Sequence, residues 1–191
     1  HPESSRSTGG AKMCKAPLAE FEVCDVRKLG EHPNLEGGFD VVVCCENIEH
    51  ILDDAKLVRD MALCMKPGGT LLLTTPNVSY RPISEGDNGP FLPIEDGRHV
   101  RKGYSPEDLQ RLCAQAFLRV KEINYIAGFF SQKTTRLYRS LNCGVHPVAG
   151  WTTILPLRIV PPLLDDAVSK VVGWPGFSIT LVAQKAAAPD A

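Results

Sequence analysis

An open α/β sheet is the fold class this sequence predicts, and three observations predict it. Phe39-Asp40 leads into Val41-Val42-Val43-Cys44-Cys45, a continuous apolar run of the kind that forms strands covered on both faces. Strand-like runs then alternate with stretches of helical period. With 191 residues, 43% hydrophobic and 23% charged, the chain has the size and composition of one globular domain.

Taken in order, residues 1–18 read as a polar tail and 19–191 as the domain, with a variable insertion at about 131–175. Phe21 to Cys24 alternate like a short strand that ends at Asp25. Phe39 to Cys45 is the second strand. From Asn47 to Met65 the apolar residues Ile51, Ala55, Val58, Ala62 and Met65 recur at helical steps. Lys66-Pro67-Gly68-Gly69 is expected to end that helix and turn the chain. Leu71 to Thr75 is a third strand, stopped by Pro76. Asn77 to Gly103, rich in Pro and Gly, is a long loop of the lid or binding kind. Ser105, Pro106 and Asp108 form a helix start ahead of Leu109, Leu112, Cys113 and Ala116. Val120 to Phe130 and Phe177 to Ala183 are the last two strands, separated by helical pieces broken at Pro147, Pro156, Pro161 and Pro162.

Composition excludes some classes of function. With 21 basic and 22 acidic residues the net charge is -1, so no general attraction draws the chain to a phosphate backbone, and a nucleic acid partner lacks support. Seven cysteines at irregular spacing read as reduced thiols, which places the chain in the cytoplasm. No apolar stretch approaches the roughly 18 residues of a transmembrane helix. The start, HPESSRSTGGAK, has no signal-peptide pattern and reads as a remnant or a cut end.

In such a sheet ligands bind outside the carboxyl ends of the strands, which singles out Asp25, the run from Cys45 to His50, and Pro76-Asn77. On a helix starting near Asn47, Glu46, Glu49 and His50 share one face, an oxygen and nitrogen set suited to Mg²⁺, Mn²⁺ or Zn²⁺. The same two glutamates equally complement a positive helix N-terminus. His50 near that terminus reads as a neutral imidazole able to take a proton, or as a hydrogen-bonded structural group. His99, at the end of the long loop, reads as an exposed loop residue or as one folded over the rim. Asp25 either accepts a hydrogen bond from a ligand or caps the next turn.

The run Phe39 to Ile51, with its Glu46-x-x-Glu49-His50, followed by Leu63-Cys64-Met65-Lys66-Pro67-Gly68-Gly69 and Leu71 to Asn77, resembles the class I S-adenosylmethionine-dependent methyltransferases. It is most similar to the ubiquinone-biosynthesis O-methyltransferase type, which the Arg98-His99-Val100 and Tyr104 to Leu109 segments also resemble. The resemblance covers about residues 19–130. It implies a Rossmann-like, mostly parallel sheet in which the fourth, fifth, seventh and sixth family strands lie side by side, with an antiparallel C-terminal strand. It also implies S-adenosylmethionine as cofactor, with Asp25, Val26, Cys45 and Glu46 on its adenosyl side. Glu46, Glu49, His50 and His99 become a metal or catalytic cluster for a divalent ion such as Mg²⁺. His50 is then the base, and Glu49 orients it or shares the metal.

The expected activity is methyl transfer to a small-molecule acceptor, most often an oxygen; a homodimer is compatible with it. A roof over the acceptor is expected from the 77–103 loop and the 131–175 insertion, with Tyr80, Phe91, Tyr104 and Trp151. One departure stands out. Family members begin with a strand, a glycine-rich turn, a helix and a second strand, none of which precedes residue 19; Gly9-Gly10 follows no apolar run. An upstream segment of roughly 60 residues, the length of two strand-helix units, is the expected missing part. A non-catalytic methyltransferase-like domain is the rival reading. An RNA 2'-O-methyltransferase, which shares the Glu and His pattern, is a minor one, opposed by the charge balance.

Overall fold

The computed structural model describes residues 19–142, 155–157, 159 and 161–187. The tail before residue 19, Gly9-Gly10, Pro147 and Trp151 lie outside the described residues. Four strands form one sheet: β1 (Phe39–Cys45), β2 (Met65–Pro76), β3 (Leu118–Ile126) and β4 (Ser178–Lys185). Their order is β1-β2-β4-β3, with β1 parallel to β2 and β4 antiparallel to both of its neighbours. Three strands therefore run one way and only β4 opposes them, as the resemblance implies. The register Cys45 to Thr74 and Ile126 to Ser178 brings the carboxyl ends of β1, β2 and β3 to a common rim.

Helix α1 (Asp54–Cys64) and helix α2 (Pro106–Gln115) pack on one face of the sheet. Leu71 and Leu73 of β2 and Ile179, Leu181 and Ala183 of β4 point into that core, against Leu57, Val58, Met61, Leu109 and Leu112. The alternate residues face outward, and Leu72 is exposed. Burial of β1 differs from expectation: Val41 and Val43 are exposed and only Cys44 is buried. Its outer edge carries no partner strand among the described residues.

Local chemistry sets the boundaries. Helix α1 starts at Asp54, not at Asn47, because Asp53 caps it by accepting the Lys56 N–H at 2.9 Å. A separate 3₁₀ turn, Ile48–His50, occupies the earlier residues. At the other end of α1, Lys185 of β4 takes the carbonyls, its Nζ donating to Ala62 O at 2.7 Å and Met65 O at 2.9 Å. The helix ends at Cys64 as expected, and Lys66 to Gly69 are taken up within β2 as an irregularity: the register passes from Phe39–Met65 to Val41–Thr70, and Gly68 has a φ of 78°. Gly69 is needed there, since a Cβ would lie 2.9 Å from Lys66 O and 3.2 Å from the Asp40 carbonyl of β1.

No strand forms at Phe21 to Cys24; those residues are exposed and lead into a 3₁₀ turn, Val26–Glu31, that packs on α1. Strand β3 stops at Ile126, short of Phe130, because α3 (Phe129–Asn142) begins there. Its first N–H groups are capped from α4 (Asp165–Val171): Asp165 accepts from Gly128 N at 3.0 Å and Phe130 N at 2.7 Å, and Ser169 Oγ accepts from Phe129 N at 2.8 Å. The 77–103 loop holds a single 3₁₀ turn, Glu85–Asn88, among otherwise irregular residues. It rejoins the sheet where Tyr104 N donates to Pro76 O and Val78 N to Tyr104 O, both at 2.9 Å. Gly103 allows that approach, since a Cβ would sit 2.3 Å from Pro76 O.

The predicted capping box of α2 is present: Ser105 Oγ accepts from Asp108 N at 3.1 Å, and Asp108 Oδ2 accepts from Ser105 N at 3.2 Å. The Ser105 N–H, then Arg111, hold the Asp108 carboxyl below its ordinary 3.8. A depressed carboxyl stabilises the fold above that value and stops doing so as pH falls through and below it. Asp108→Asn is therefore expected to melt earlier than wild type at neutral pH, with the two melting curves converging in acid. Calorimetric scans across pH 2–7 check this (about 2–7 spans the carboxyl range).

Candidate active site

Strand β1 hands the chain to the rim through one sharp residue. Glu46 N donates to Thr74 O at 2.9 Å, prolonging the β1–β2 ladder, and Glu46 then takes a left-handed φ of 45°. The chain turns inward, and Ile48 and Glu49 are fully buried. Glu46 itself stays exposed. The helix face that would align Glu46 with Glu49 and His50 does not exist, and Glu46 is outside the ligand cluster that forms. His50 ends the 3₁₀ turn and sits ahead of α1, so the helix N-terminus assumed for it is not beside it.

The register between β1 and β2 sets Thr75 under the turn, where its Oγ1 donates to Glu49 Oε2 at 3.2 Å. Glu49 Oε1 is buried and has no hydrogen-bond partner. It faces His50 Nε2 at 3.8 Å and His99 Nε2 at 3.9 Å. The two imidazoles meet edge to face, centroids 4.6 Å apart. His99 reaches this point because Val100 N donates to Glu49 O at 3.0 Å. One donor atom from each of Glu49, His50 and His99 lies within 4.8 Å of the others.

Burial is the main cause of the electrostatics. It pushes the Glu49 carboxyl above its ordinary value, with the Glu46 charge adding to the effect. It also holds His99 below the usual imidazole range, aided by His50. An unpartnered buried carboxylate oxygen facing two imidazole nitrogens fits a divalent cation of the Mg²⁺, Mn²⁺ or Zn²⁺ class by its donor set.

The residues expected on the adenosyl side divide. Val26 and Cys45 line a groove of about 420 Å³ along β1, with Leu29, Cys44, Asn47 and Met61. Its apolar walls fit the flat face of a purine. Asp25 does not line it: its carboxylate accepts from Arg27 N at 3.1 Å, Nε at 2.8 Å and Nη2 at 2.6 Å, and Arg27 holds it down at about 2. Glu46 does not line it either.

A second cavity of about 880 Å³ opens beyond Asn77, between the start of α2 and the start of α3, lined by Ser105, Tyr125, Asp165 and Trp174 among others. Of the aromatics expected as a roof, Tyr104 and Tyr80 are buried. Tyr104 OH donates to Ile48 O at 3.3 Å, and Tyr80 packs on Phe177 at 4.7 Å. Thr75 and Trp174 were not singled out by sequence, since a Thr in an apolar strand and a Trp before Pro175 carry no spacing signal.

The family match and the curated relatives point to one family. The methyltransferase-domain family matches residues 10–122. A ubiquinone biosynthesis O-methyltransferase of Marinobacter nauticus is 34% identical over 147 residues, which is 68% of this chain and 60% of that protein. One from Pseudomonas aeruginosa is 30% identical over 151 residues, 71% of this chain and 64% of that protein. The chain thus spans less than two thirds of the length of these curated relatives. Among solved structures, Haemonchus contortus phosphoethanolamine N-methyltransferase 2 in complex with S-adenosyl-L-methionine superposes with a TM-score of 0.51 at 16% identity, covering 86% of this chain and 36% of that one. The cyclase SpnF superposes at 0.50 with 16% identity, covering 88% and 56%. These structures share the fold.

Glu49 is stabilising for a ligand and costly for the fold without one. Glu49→Gln keeps an acceptor for Thr75 and removes the buried charge. In chelator-treated protein it is expected to stabilise by about 1 kcal/mol, or a melting point about 2–4 °C higher for a chain of this size. Thermal melts in the presence of chelator check this, and an unchanged or lower melting point counts against it.

Proposed function

This chain belongs to the class I S-adenosylmethionine-dependent methyltransferase family, and from that premise we propose that it moves a methyl group from S-adenosylmethionine to an oxygen of a small molecule. The single observation that carries the reading is the Glu49, His50 and His99 cluster on the rim, with its unpartnered carboxylate oxygen. The 880 Å³ cavity beyond Asn77 has the volume of a small-molecule site, about 300–1,000 Å³, and is lined by Asn77 and Ser105 and not by Glu49, His50 or His99. The net charge of -1 gives no support to an RNA end.

The reaction is an in-line displacement. The acceptor oxygen bonds to the methyl carbon as the carbon–sulfur bond breaks, leaving S-adenosylhomocysteine, and the hydroxyl proton departs to a base. The protein mainly supplies alignment. Val26 and Cys45 hold the adenine side, and the turn at Glu46 aims Glu49 and His50 across the rim. Without a cation, His50 takes the proton at Nε2, since its Nδ1 is buried; with a cation held at Nε2, His50 would be a ligand instead of the base. Thr75 donates to one Glu49 oxygen, and the other faces His50 Nε2 at 3.8 Å, where it orients the ring by charge or shares the cation. Glu49, His50 and His99 are the residues that would hold a divalent cation, which supplies Lewis acidity toward an acceptor hydroxyl.

Calorimetry with S-adenosylmethionine tests the binding half: heat is expected, and its absence favours a non-catalytic methyltransferase-like domain. Methyl transfer from labelled cofactor to a panel of catechols and phenols tests the chemistry. His50→Ala is expected to lower turnover by about 10²–10⁴-fold, the usual range for a lost general base. Turnover in that variant at the wild-type level and indifferent to chelator would remove both roles given to His50.

A further inference from the structure

The Glu49, His50 and His99 cluster is assembled from two segments far apart in sequence, and something must hold them together. Glu49 and His50 come from the turn after β1; His99 comes from the end of the 77–103 loop. The histidine makes no hydrogen bond of its own to the turn: its Nε2 is 3.9 Å from Glu49 Oε1 and its ring touches His50 edge to face. Its position follows from the residues after it: the Val100 N–H ties the loop backbone to Glu49 O at 3.0 Å, and Arg101 supplies the side-chain contacts.

Two residues along, Arg101 reaches back across the whole turn. Its Nη2 donates to Ile51 O at 2.9 Å and to Leu52 O at 3.0 Å, and its Nη1 bonds the Asp54 carboxylate and the Tyr104 hydroxyl. Tyr104 in turn donates to Ile48 O at 3.3 Å and to Asp54 Oδ2 at 2.9 Å. One guanidinium therefore engages the carbonyls just past His50, the first residue of α1 and the tyrosine that closes the loop. A planar fork can bind two carbonyls and a carboxylate at once, which an ammonium cannot.

We infer that Arg101 is a positioning residue that clamps the His99-bearing loop onto the Ile48–His50 turn and so sets the His99 imidazole against His50 and Glu49. It lines neither the groove along β1 nor the cavity beyond Asn77. The metal arm of the test rests on the functional reading above; the ring-proximity arm does not.

The test uses the wild-type chain, Arg101→Ala, Arg101→Lys, His99→Ala and the His99→Ala/Arg101→Ala double variant. In metal-free protein, nuclear Overhauser contacts between the imidazole protons of His50 and His99 are expected in wild type, lost in Arg101→Ala and weakened in Arg101→Lys. With Mn²⁺ alone as the calorimetric probe, Arg101→Ala is expected to lose about 10- to 100-fold in affinity, the range seen when groups supporting ligands are removed. In the His99→Ala background the same change adds less than about twofold, because the two residues act through one contact. Retention of the ring contacts in Arg101→Ala, or full additivity with His99→Ala, overturns the inference. Should Arg101→Ala fail to fold, Arg101→Lys decides, and ring contacts as strong as wild type in that variant overturn it. Equal Mn²⁺ uptake by wild type and His99→Ala defeats the metal reading, while the ring contacts still decide the role of Arg101.

Discussion

The site depends first on the parallel pairing of β1 with β2. That register lays Thr74 and Thr75 beside the exit from β1, and the last ladder bond, Glu46 N to Thr74 O, fixes where the chain leaves the sheet. A left-handed Glu46 then turns the next three residues under the rim instead of letting them fray into solvent. Burial of Glu49 follows, and with it the raised carboxyl and the oxygen without a partner. A shift of one residue in that register would send Glu49 outward and expose its charge to water.

Much of the architecture was legible because it rests on local signals. The apolar runs of β1 and β2, the Ser105 capping box and the strand near the C-terminus all appear where their residues indicate. Helix α1 was legible in its middle and not at its start. Ile51 fits the helical period and is buried, yet it belongs to the extended link before Asp53, whose side chain is the stronger start signal. Lys66 to Gly69 reads as a turn from composition alone. The chain does bend there, at a left-handed Gly68, but the close approach of β1 to Gly69 keeps the bend within the strand pairing, a tertiary fact no local window contains.

The site divides along the same line. Glu49, His50 and His99 were visible as residue types near a predicted rim, and the structure brings them together. Glu46 was assigned to the cluster through an assumed helix face and is separated from it by its own backbone conformation. Asp25 was visible as a strand end, but Arg27, two residues on, captures its carboxylate. Arg101 carried no signal, because two of its partners are the carbonyls of Ile51 and Leu52 and its carboxylate partner, Asp54, is 47 residues away. Backbone acceptors have no letter in a sequence.

Strand β4 is flanked on both sides, whereas β1 is held by β2 alone among the described strands. Protection of main-chain amides should therefore be greater along β2 and β4 than along β1 and β3. The chemistry is mounted on a strand paired on one side among the described residues, as β3 also is. Occupancy of the groove along β1 would consequently stiffen the margin that carries Glu49, so that cofactor capture and site order are thermodynamically linked through one strand.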